Sequence, residues 1–162
     1  RFDYRVYLQD EVNAFAVPNG SIRVYSGLLD AYSDDEVRYV LAHEIGHVML
    51  GHSKRALQVA YTANAARAAA ASAGNATVAA LSSSAIGELG ESLVNAQFSQ
   101  RQENEADDFA IGFMRDQGLD ARAAVSALRK MERAFGNNSN MFSSHPAPGA
   151  RADRIEQQLA RR

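Results

Sequence analysis

Polar and apolar residues alternate through much of the first thirty positions of the chain. The apolar members of this pattern are mostly strand formers: Tyr4, Val6, Leu8, Val12, Phe15, Ile22, Val24 and Tyr25. Asn19-Gly20 separates the last two runs, and this dipeptide favours a tight hairpin turn. The pattern therefore predicts a small antiparallel sheet of about three strands.

A helical pattern follows these strands. Ser33 with Glu36 three residues later is the sequence signature of a capping box, which predicts the N-terminus of a helix. Apolar residues then recur at helical spacing, at Val37, Leu41, Ile45 and Val48. We expect this helix to continue through Gly51 and to break or bend near that residue.

The rest of the chain also favours helices. Residues 56–85 are dominated by alanine, and Gly74-Asn75 is a candidate interruption. Later segments are predicted as a helix from about Ile86 to Gln117 ended by Gly118, a helix from Asp120 to about Gly136, a polar loop over 136–149 and a short basic helix. The sequence thus predicts an α+β fold, mainly α, with the small sheet packed on a helical bundle. Its length suits a single domain over residues 1–162.

Composition excludes several classes of protein. With 17 Lys and Arg against 19 Asp and Glu, the formal charge is −2, which gives no electrostatic reason to bind nucleic acid. The absence of cysteine excludes disulfides, a thiol nucleophile and cysteine-ligated zinc. Any metal site must therefore use carboxylates and the four histidines, which are His43, His47, His52 and His145.

Two features bear on membranes. The chain begins at Arg1 rather than Met, so we expect a processed or trimmed form, from which a signal peptide or anchor could have been lost. The longest uncharged run, residues 68–87, is mostly Ala, Ser and Gly with few large apolar residues. We do not expect this run to span a membrane.

The motif with the greatest chemical content is His43-Glu44-Ile45-Gly46-His47. Residues four apart on a helix lie on nearly the same face, so the two imidazoles can bind one metal ion. Glu44 projects beside that ion, where its carboxylate can accept a proton from water. The motif predicts a zinc site in which Glu44 is the general base.

A catalytic zinc site needs a third protein ligand, and residues 103–108 supply four carboxylates. Glu103 and Asp107 share a helical stripe with the apolar residues Ala110 and Met114, whereas Glu105 and Asp108 lie on the opposite, solvent side. Buried carboxylates are costly unless they are paired or bind metal. We therefore predict Glu103 as the third ligand and Asp107 as the acceptor that fixes a ligand imidazole.

These two motifs resemble the signatures of the HtpX-type and CAAX-prenyl-protease-type zinc metallopeptidases, a branch of the gluzincins. Further similarity comes from Asn13-Ala14-Phe15-Ala16, Ser26-Gly27-Leu28-Leu29, Ser144-His145-Pro146 and Arg151. The resemblance covers nearly the whole chain. It implies a zincin-like peptidase domain with one Zn²⁺ per chain.

Within this family the chain is most similar to the LoiP-type lipoprotein peptidases of the bacterial cell envelope. Residues 23–28 and 95–103 carry this closer match. The resemblance implies a periplasmic endopeptidase that acts on unfolded or misfolded envelope proteins and is anchored to the outer membrane. The lipid-bearing N-terminal cysteine of such proteins is absent, as expected of a trimmed chain, so membrane association would depend on a missing N-terminal anchor.

Other residues have open alternatives. His145 is our candidate donor to the oxyanion of the tetrahedral intermediate, but it could equally be an exposed loop histidine or a substitute ligand. Arg151 is a candidate support for the same site and for substrate binding. His52, about 140° round the helix from His47, is expected to be structural. The resemblance implies that Asn13 and Ala14 lie on an edge strand that binds substrate, against the alternative of plain sheet packing.

Two rival functions come from other classes. The protein could bind metal yet act as a non-hydrolytic chaperone or scaffold of the envelope. Alternatively, its histidines could be structural and the Ala-rich helix could form an interaction module. Zinc content and the effect of Glu44→Gln on peptidase activity distinguish these alternatives from the peptidase.

Overall fold

The computed structural model describes residues 1–72, 98–136 and 145–161. Three strands come first, β1 (Asp3–Tyr7), β2 (Ala14–Ala16) and β3 (Ser21–Tyr25). The helices follow in chain order: α1 (Ser26–Ala31), α2 (Asp34–Met49), α3 (His52–Ser72), α4 (Gln100–Asp116), α5 (Ala123–Phe135) and α6 (Pro148–Ala160). The fold class is the predicted one, mainly helical with a small sheet, but its strand arrangement differs from the prediction.

The sheet is mixed rather than antiparallel. Its strand order is β1-β3-β2, with β2 antiparallel and β1 parallel to β3. The hairpin between β2 and β3 is confirmed, since Gly20 has φ +89° and its N–H donates to Val17 O at 2.9 Å. β1 pairs with the other edge of β3 and runs in the same direction as β3. Alternation predicts strands but neither their order nor their relative direction, which is why the prediction of an antiparallel sheet was wrong here.

The N-terminus of α2 is the predicted capping box. Ser33 N–H donates to Glu36 Oε2 at 2.8 Å, and Glu36 N–H donates to Ser33 Oγ at 3.4 Å. Glu36 also accepts a 2.6 Å bond from Lys130 and a 2.7 Å bond from Ser126, both on α5. One buried carboxylate therefore begins the helix and attaches it to the bundle.

The predicted break near Gly51 is confirmed, but α2 ends slightly earlier than predicted. The helix ends at Met49 instead of continuing through Gly51, and Gly51 has a φ of +74°. Glycine adopts this left-handed conformation without steric cost. The turn makes His52 the first residue of α3 and directs its side chain back toward α2.

The fourth helix begins later than predicted. Residues 98 and 99 are not helical, and Ser99 forms a second capping box with Gln102. Residues 73–97, which hold the second part of the Ala-rich run (73–85) and the Gly74-Asn75 pair, lie outside the described residues. The stripe predicted on α4 is buried, since Glu103, Asp107, Ala110 and Met114 are all 0% exposed.

Helix α2 lies at the centre of the fold. It packs against α3, α4 and α5 and against strand β2. This packing places the metal-binding motif between the sheet and the bundle. Among the described helices, none is both long and apolar enough to cross a membrane.

Candidate metal centre

Two helices bring the candidate ligands together. His43 and His47 are one turn apart on α2, and Glu103 lies in the first turn of α4. The helices approach closely at Gly46, where a Cβ atom would come within 3.2 Å of the Ala106 carbonyl oxygen. The glycine thus permits the close contact that sets the carboxylate of Glu103 beside the two imidazoles.

The candidate ligand atoms converge. Nε2 of His43 and Nε2 of His47 are 3.0 Å apart. Glu103 places Oε1 3.2 Å from His47 Nε2 and Oε2 3.4 Å from His43 Nε2. Nδ1 of His145 lies 3.0 Å from Glu103 Oε1 and 3.3 Å from His43 Nε2. One atom from each of the four side chains lies within 4.8 Å of the others, a grouping that could hold a metal ion.

Asp107 lies directly behind His43. Its Oδ1 is 2.9 Å from His43 Nδ1 and accepts a 2.7 Å hydrogen bond from the hydroxyl of Tyr39. Arg151 donates to the two oxygens of Asp107 at 2.9 and 2.6 Å, and its Nη1 is 2.5 Å from Glu103 Oε2. With Nδ1 engaged by a carboxylate, His43 presents Nε2 to the metal position.

His47 has a different environment. Its Nδ1 lies 3.1 Å from Nδ1 of His52, and Phe98 packs on its ring with centroids 4.0 Å apart. Nε2 of His52 is in turn 3.2 Å from Glu105 Oε2. Glu105, predicted as an ordinary surface charge, therefore contacts the side chain behind His47.

Glu44 lies beside the four converging atoms. Its carboxylate is buried, its Oε1 is 3.3 Å from His145 Nε2, and the backbone N–H of Ala16 donates a hydrogen bond to it. Burial raises the pKa of this carboxyl group, although the charges of His145 and His43 act against the shift. A carboxylate of raised basicity is suited to accept a proton from water.

The strand β2 borders the same cleft. Ala14 lines it together with Glu44, His145 and Arg151. Asn13 O accepts from Tyr25 N–H, so by the alternation of an antiparallel ladder the backbone of Ala14 faces away from β3. The side chain of Asn13 donates to Glu11. These contacts favour sheet packing for Asn13, and a substrate contact at Ala14 stays a prediction.

The buried charges fit a divalent cation. Glu44, Glu103 and Asp107 are three buried carboxylates facing one buried guanidinium, that of Arg151. With the histidines neutral, as metal binding requires, this cluster carries a formal charge of −2. Burial and Arg151 act to lower the pKa of His43, but Glu103 and Asp107 raise it to about 9. The site therefore attracts positive charge, and its nitrogen and oxygen donors are ligands that zinc accepts.

A comparison with known families agrees with this geometry. The model of peptidase family M48 matches residues 1–159. This chain belongs to peptidase family M48. Members of this family use zinc, and the group His43, His47, Glu103 and His145 is where this chain could hold the ion.

Individual relatives cover most of the chain. It is 49% identical to metalloprotease LoiP of Escherichia coli (strain K12), over 98% of this chain and 63% of that protein. It is 39% identical to metalloprotease YcaL of the same organism, over 98% of this chain and 62% of that protein. The beta-barrel assembly-enhancing protease of Yersinia pestis is 29% identical, over 93% of this chain and 33% of that protein. The chain thus spans less than two thirds of the length of these M48 relatives.

Several site residues were missed from the sequence. Tyr39 lies one turn before His43 on α2, a spacing that could have identified it as a neighbour of the ligand. Phe98 precedes the capping box of α4 and offered no such signal. The guanidinium of Arg151 is buried against Glu103 and Asp107, within the site that it was predicted to support, and a contact with substrate stays a prediction. Its contacts favour a positioning role over direct contact with substrate.

Proposed function

We propose that this chain is the catalytic domain of a zinc-dependent endopeptidase. The observation that carries the proposal is the position of Glu44: its buried carboxylate lies beside a convergent group made of the imidazoles of His43, His47 and His145 and the carboxylate of Glu103. Two histidines and a glutamate are a ligand set of catalytic zinc peptidases. Membership of family M48 supports the same assignment.

His43, His47 and Glu103 hold the metal in this proposal. Bound zinc supplies a Lewis acid and brings the pKa of its water toward about 7. Glu44 accepts the proton of the attacking water through its carboxylate and passes it to the leaving amine. General acid–base catalysis of this kind is typically worth about 10²–10⁴-fold in rate.

Asp107, Tyr39 and Arg151 position the ligands. The carboxylate of Asp107 accepts at His43 Nδ1, and the hydroxyl of Tyr39 and the guanidinium of Arg151 hold that carboxylate in place. Arg151 also neutralises part of the negative charge that two buried carboxylates would otherwise leave uncompensated. The precision of the metal position therefore depends on residues that do not themselves bind it.

His145 has two candidate roles. As an oxyanion donor it would donate a hydrogen bond to the tetrahedral intermediate. Its Nδ1 lies 3.0 Å from Glu103 Oε1, which supports the alternative of a fourth ligand. Four protein ligands would close the site, a property of structural zinc centres, so this distance also favours the second candidate function, a metal-bound but non-hydrolytic chaperone or scaffold.

We propose polypeptides as substrates, specifically unfolded or misfolded proteins of the bacterial envelope. An extended peptide could pair with the outer edge of β2 at Ala14, which lies beside Glu44 in the same cleft. The name of the Yersinia pestis relative, a beta-barrel assembly-enhancing protease, supports an envelope setting. The corresponding location is the periplasm, with the full-length protein anchored to the outer membrane.

The test compares zinc-loaded wild-type protein with Glu44→Gln. We expect the wild type to cleave a denatured, fluorescently labelled polypeptide and the variant to lose activity by about 10²–10⁴-fold while it keeps its zinc. Zinc content measured on both proteins separates loss of metal from loss of the base. Full activity in a zinc-loaded Glu44→Gln protein would refute this mechanism, and an inactive wild type with bound zinc would favour the scaffold.

A further inference from the structure

A chain of polar contacts leads from His47 to the protein surface. Nδ1 of His47 is 3.1 Å from Nδ1 of His52, and Nε2 of His52 is 3.2 Å from Glu105 Oε2. The second oxygen of Glu105 accepts a 2.8 Å bond from Nε of Arg101. His47 is fully buried and His52 is 2% exposed, whereas the Arg101 side chain is 87% exposed. Three side chains therefore connect a candidate ligand with solvent.

If His52 is neutral and Glu105 is ionised, the hydrogen-bonding capacity of these groups fixes where the protons lie. An ionised carboxylate can only accept, so Glu105 requires a proton on Nε2 of His52. Neutral His52 then has an unprotonated Nδ1, which can only accept. The bond between His52 and His47 consequently needs a proton on Nδ1 of His47, and this leaves Nε2 of His47 with the lone pair that a metal requires.

We propose that His52 is a positioning residue that fixes the tautomer and ring orientation of His47, and that Glu105 and Arg101 hold His52 for this task. The inference rests on the proposed metal site and extends it to residues outside the ligand set. Asp107 fixes the orientation of His43 in the same way, because its buried carboxylate contacts Nδ1 of His43 directly. For His47 the contact is made by the imidazole of His52, which the partly exposed carboxylate of Glu105 holds in place.

The local backbone explains how His52 reaches this position. If α2 continued past Met49 as a regular helix, His52 would lie about 140° round the axis from His47. The left-handed turn at Gly51 ends α2 and begins α3 at His52, so the imidazole returns to the buried side of His47. Glu105 faces the same point from α4. His52 therefore has polar contacts with residues of both α2 and α4. A residue that only filled space at this position would not need a polar side chain.

The experiment compares His52→Ala and His52→Asn with wild type and with a matched control. Asparagine can present Oδ1 where the imidazole presents Nδ1, so it keeps an acceptor for His47, whereas alanine removes it. Asp108→Asn serves as the control for Glu105→Gln. Asp108 is also on α4, and it accepts a 2.9 Å hydrogen bond from Arg154 instead of contacting the candidate ligands. Zinc affinity is measured by competition with a chelator.

We expect His52→Ala to weaken zinc binding by about 10–100-fold, the usual effect of losing an outer partner of a ligand histidine. His52→Asn should recover most of that loss, Glu105→Gln should show a smaller loss, and Asp108→Asn should match wild type. A second readout is the Nδ1–H signal of His47 in ¹⁵N-histidine-labelled, zinc-loaded protein. It should be present and protected from exchange in wild type and His52→Asn, and lost or fast-exchanging in His52→Ala.

Two outcomes would overturn the inference. One is wild-type zinc affinity with an unchanged His47 Nδ1–H signal in His52→Ala. The other is an equal loss in His52→Ala and His52→Asn at equal folded fraction, which would indicate packing alone. Either result leaves the proposed peptidase standing. Conversely, suppose that the His52 variants change zinc affinity as expected but the zinc-loaded wild type cleaves no polypeptide. That result would refute the proposed function and leave the inference about His52 standing.

Discussion

Replacing Arg151 by methionine tests whether the buried charges of the site balance one another. Arg151 is 3% exposed and contacts Asp107 through Nε and Nη2 and Glu103 through Nη1. Methionine keeps an apolar stem of similar reach but removes the guanidinium that faces the buried carboxylates of Glu103 and Asp107. Removing one partner of a buried ion pair costs about 3–5 kcal/mol, because the other charge is left uncompensated.

The matched control lies three residues further along α6. Arg154 pairs with Asp108 at 2.9 Å, but the side chains are 32% and 49% exposed. Exposed pairs contribute about 0.2–1 kcal/mol, so Arg154→Met should cost far less than Arg151→Met. At roughly 2–4 °C per kcal/mol for a chain of this size, the Arg151 variant should melt about 6–20 °C lower than wild type.

The assay is urea or thermal unfolding of metal-free protein, repeated with zinc. Because zinc supplies the positive charge that Arg151→Met removes, we expect the variant to lose less stability with zinc than without it. Two results would contradict this reasoning. One is equal destabilisation by Arg151→Met and Arg154→Met, and the other is an Arg151 variant of unchanged stability with only a raised KM, which would indicate a substrate contact.

Three further predictions concern the ligands. Gly46→Val should lower the free energy of unfolding by about 1–3 kcal/mol, because the added side chain overpacks the contact between α2 and α4. Because the two helices are forced apart, zinc binding should also weaken, and a wild-type zinc affinity would contradict this prediction. His145→Ala distinguishes the two roles of that residue: an oxyanion donor predicts a kcat lower by about 10²–10³-fold at unchanged zinc affinity, whereas a fourth ligand predicts weaker zinc binding. Glu103→Gln should reduce zinc affinity by more than the 10–100-fold expected for an outer partner, as measured by chelator competition, while Asp108→Asn leaves it unchanged.

Local signals predicted the parts of the fold that depend on local physics. The capping box of Ser33 and Glu36 defines where α2 begins, because both of its hydrogen bonds form within four residues. The buried stripe of α4 was also predictable, since Glu103 and Asp107 recur with apolar residues at helical spacing. The same spacing separated Glu103 from Glu105, which is absent from the convergent group.

Other features were present in the sequence but masked by a longer pattern. Ser99 with Gln102 is a capping signature, yet the helical pattern from about Ile86 to Gln117 continues across it and predicts one helix. The direction of β1 relative to β3 has no local signature, because the two paired strands are distant in the sequence. Long-range pairing of this kind is decided by tertiary contacts rather than by propensity.

The position of His52 shows why a sequence motif does not predict every contact of a site. In a continuous helix, periodicity places His52 about 140° round the axis from His47, where the two side chains would not meet. A single left-handed residue, Gly51, changed the direction of the chain and with it the partner of the imidazole. Glycine marks such turns only weakly in a sequence, since it is also tolerated within helices at a cost of about 1 kcal/mol. The two candidate ligand histidines therefore share one motif but have different partners. His43 contacts the buried carboxylate of Asp107, whereas His47 contacts His52, which the turn at Gly51 and the partly exposed carboxylate of Glu105 hold in place. A related sequence with an identical motif could therefore lack Asp107 or His52, and a comparison of the motif alone would not reveal the difference.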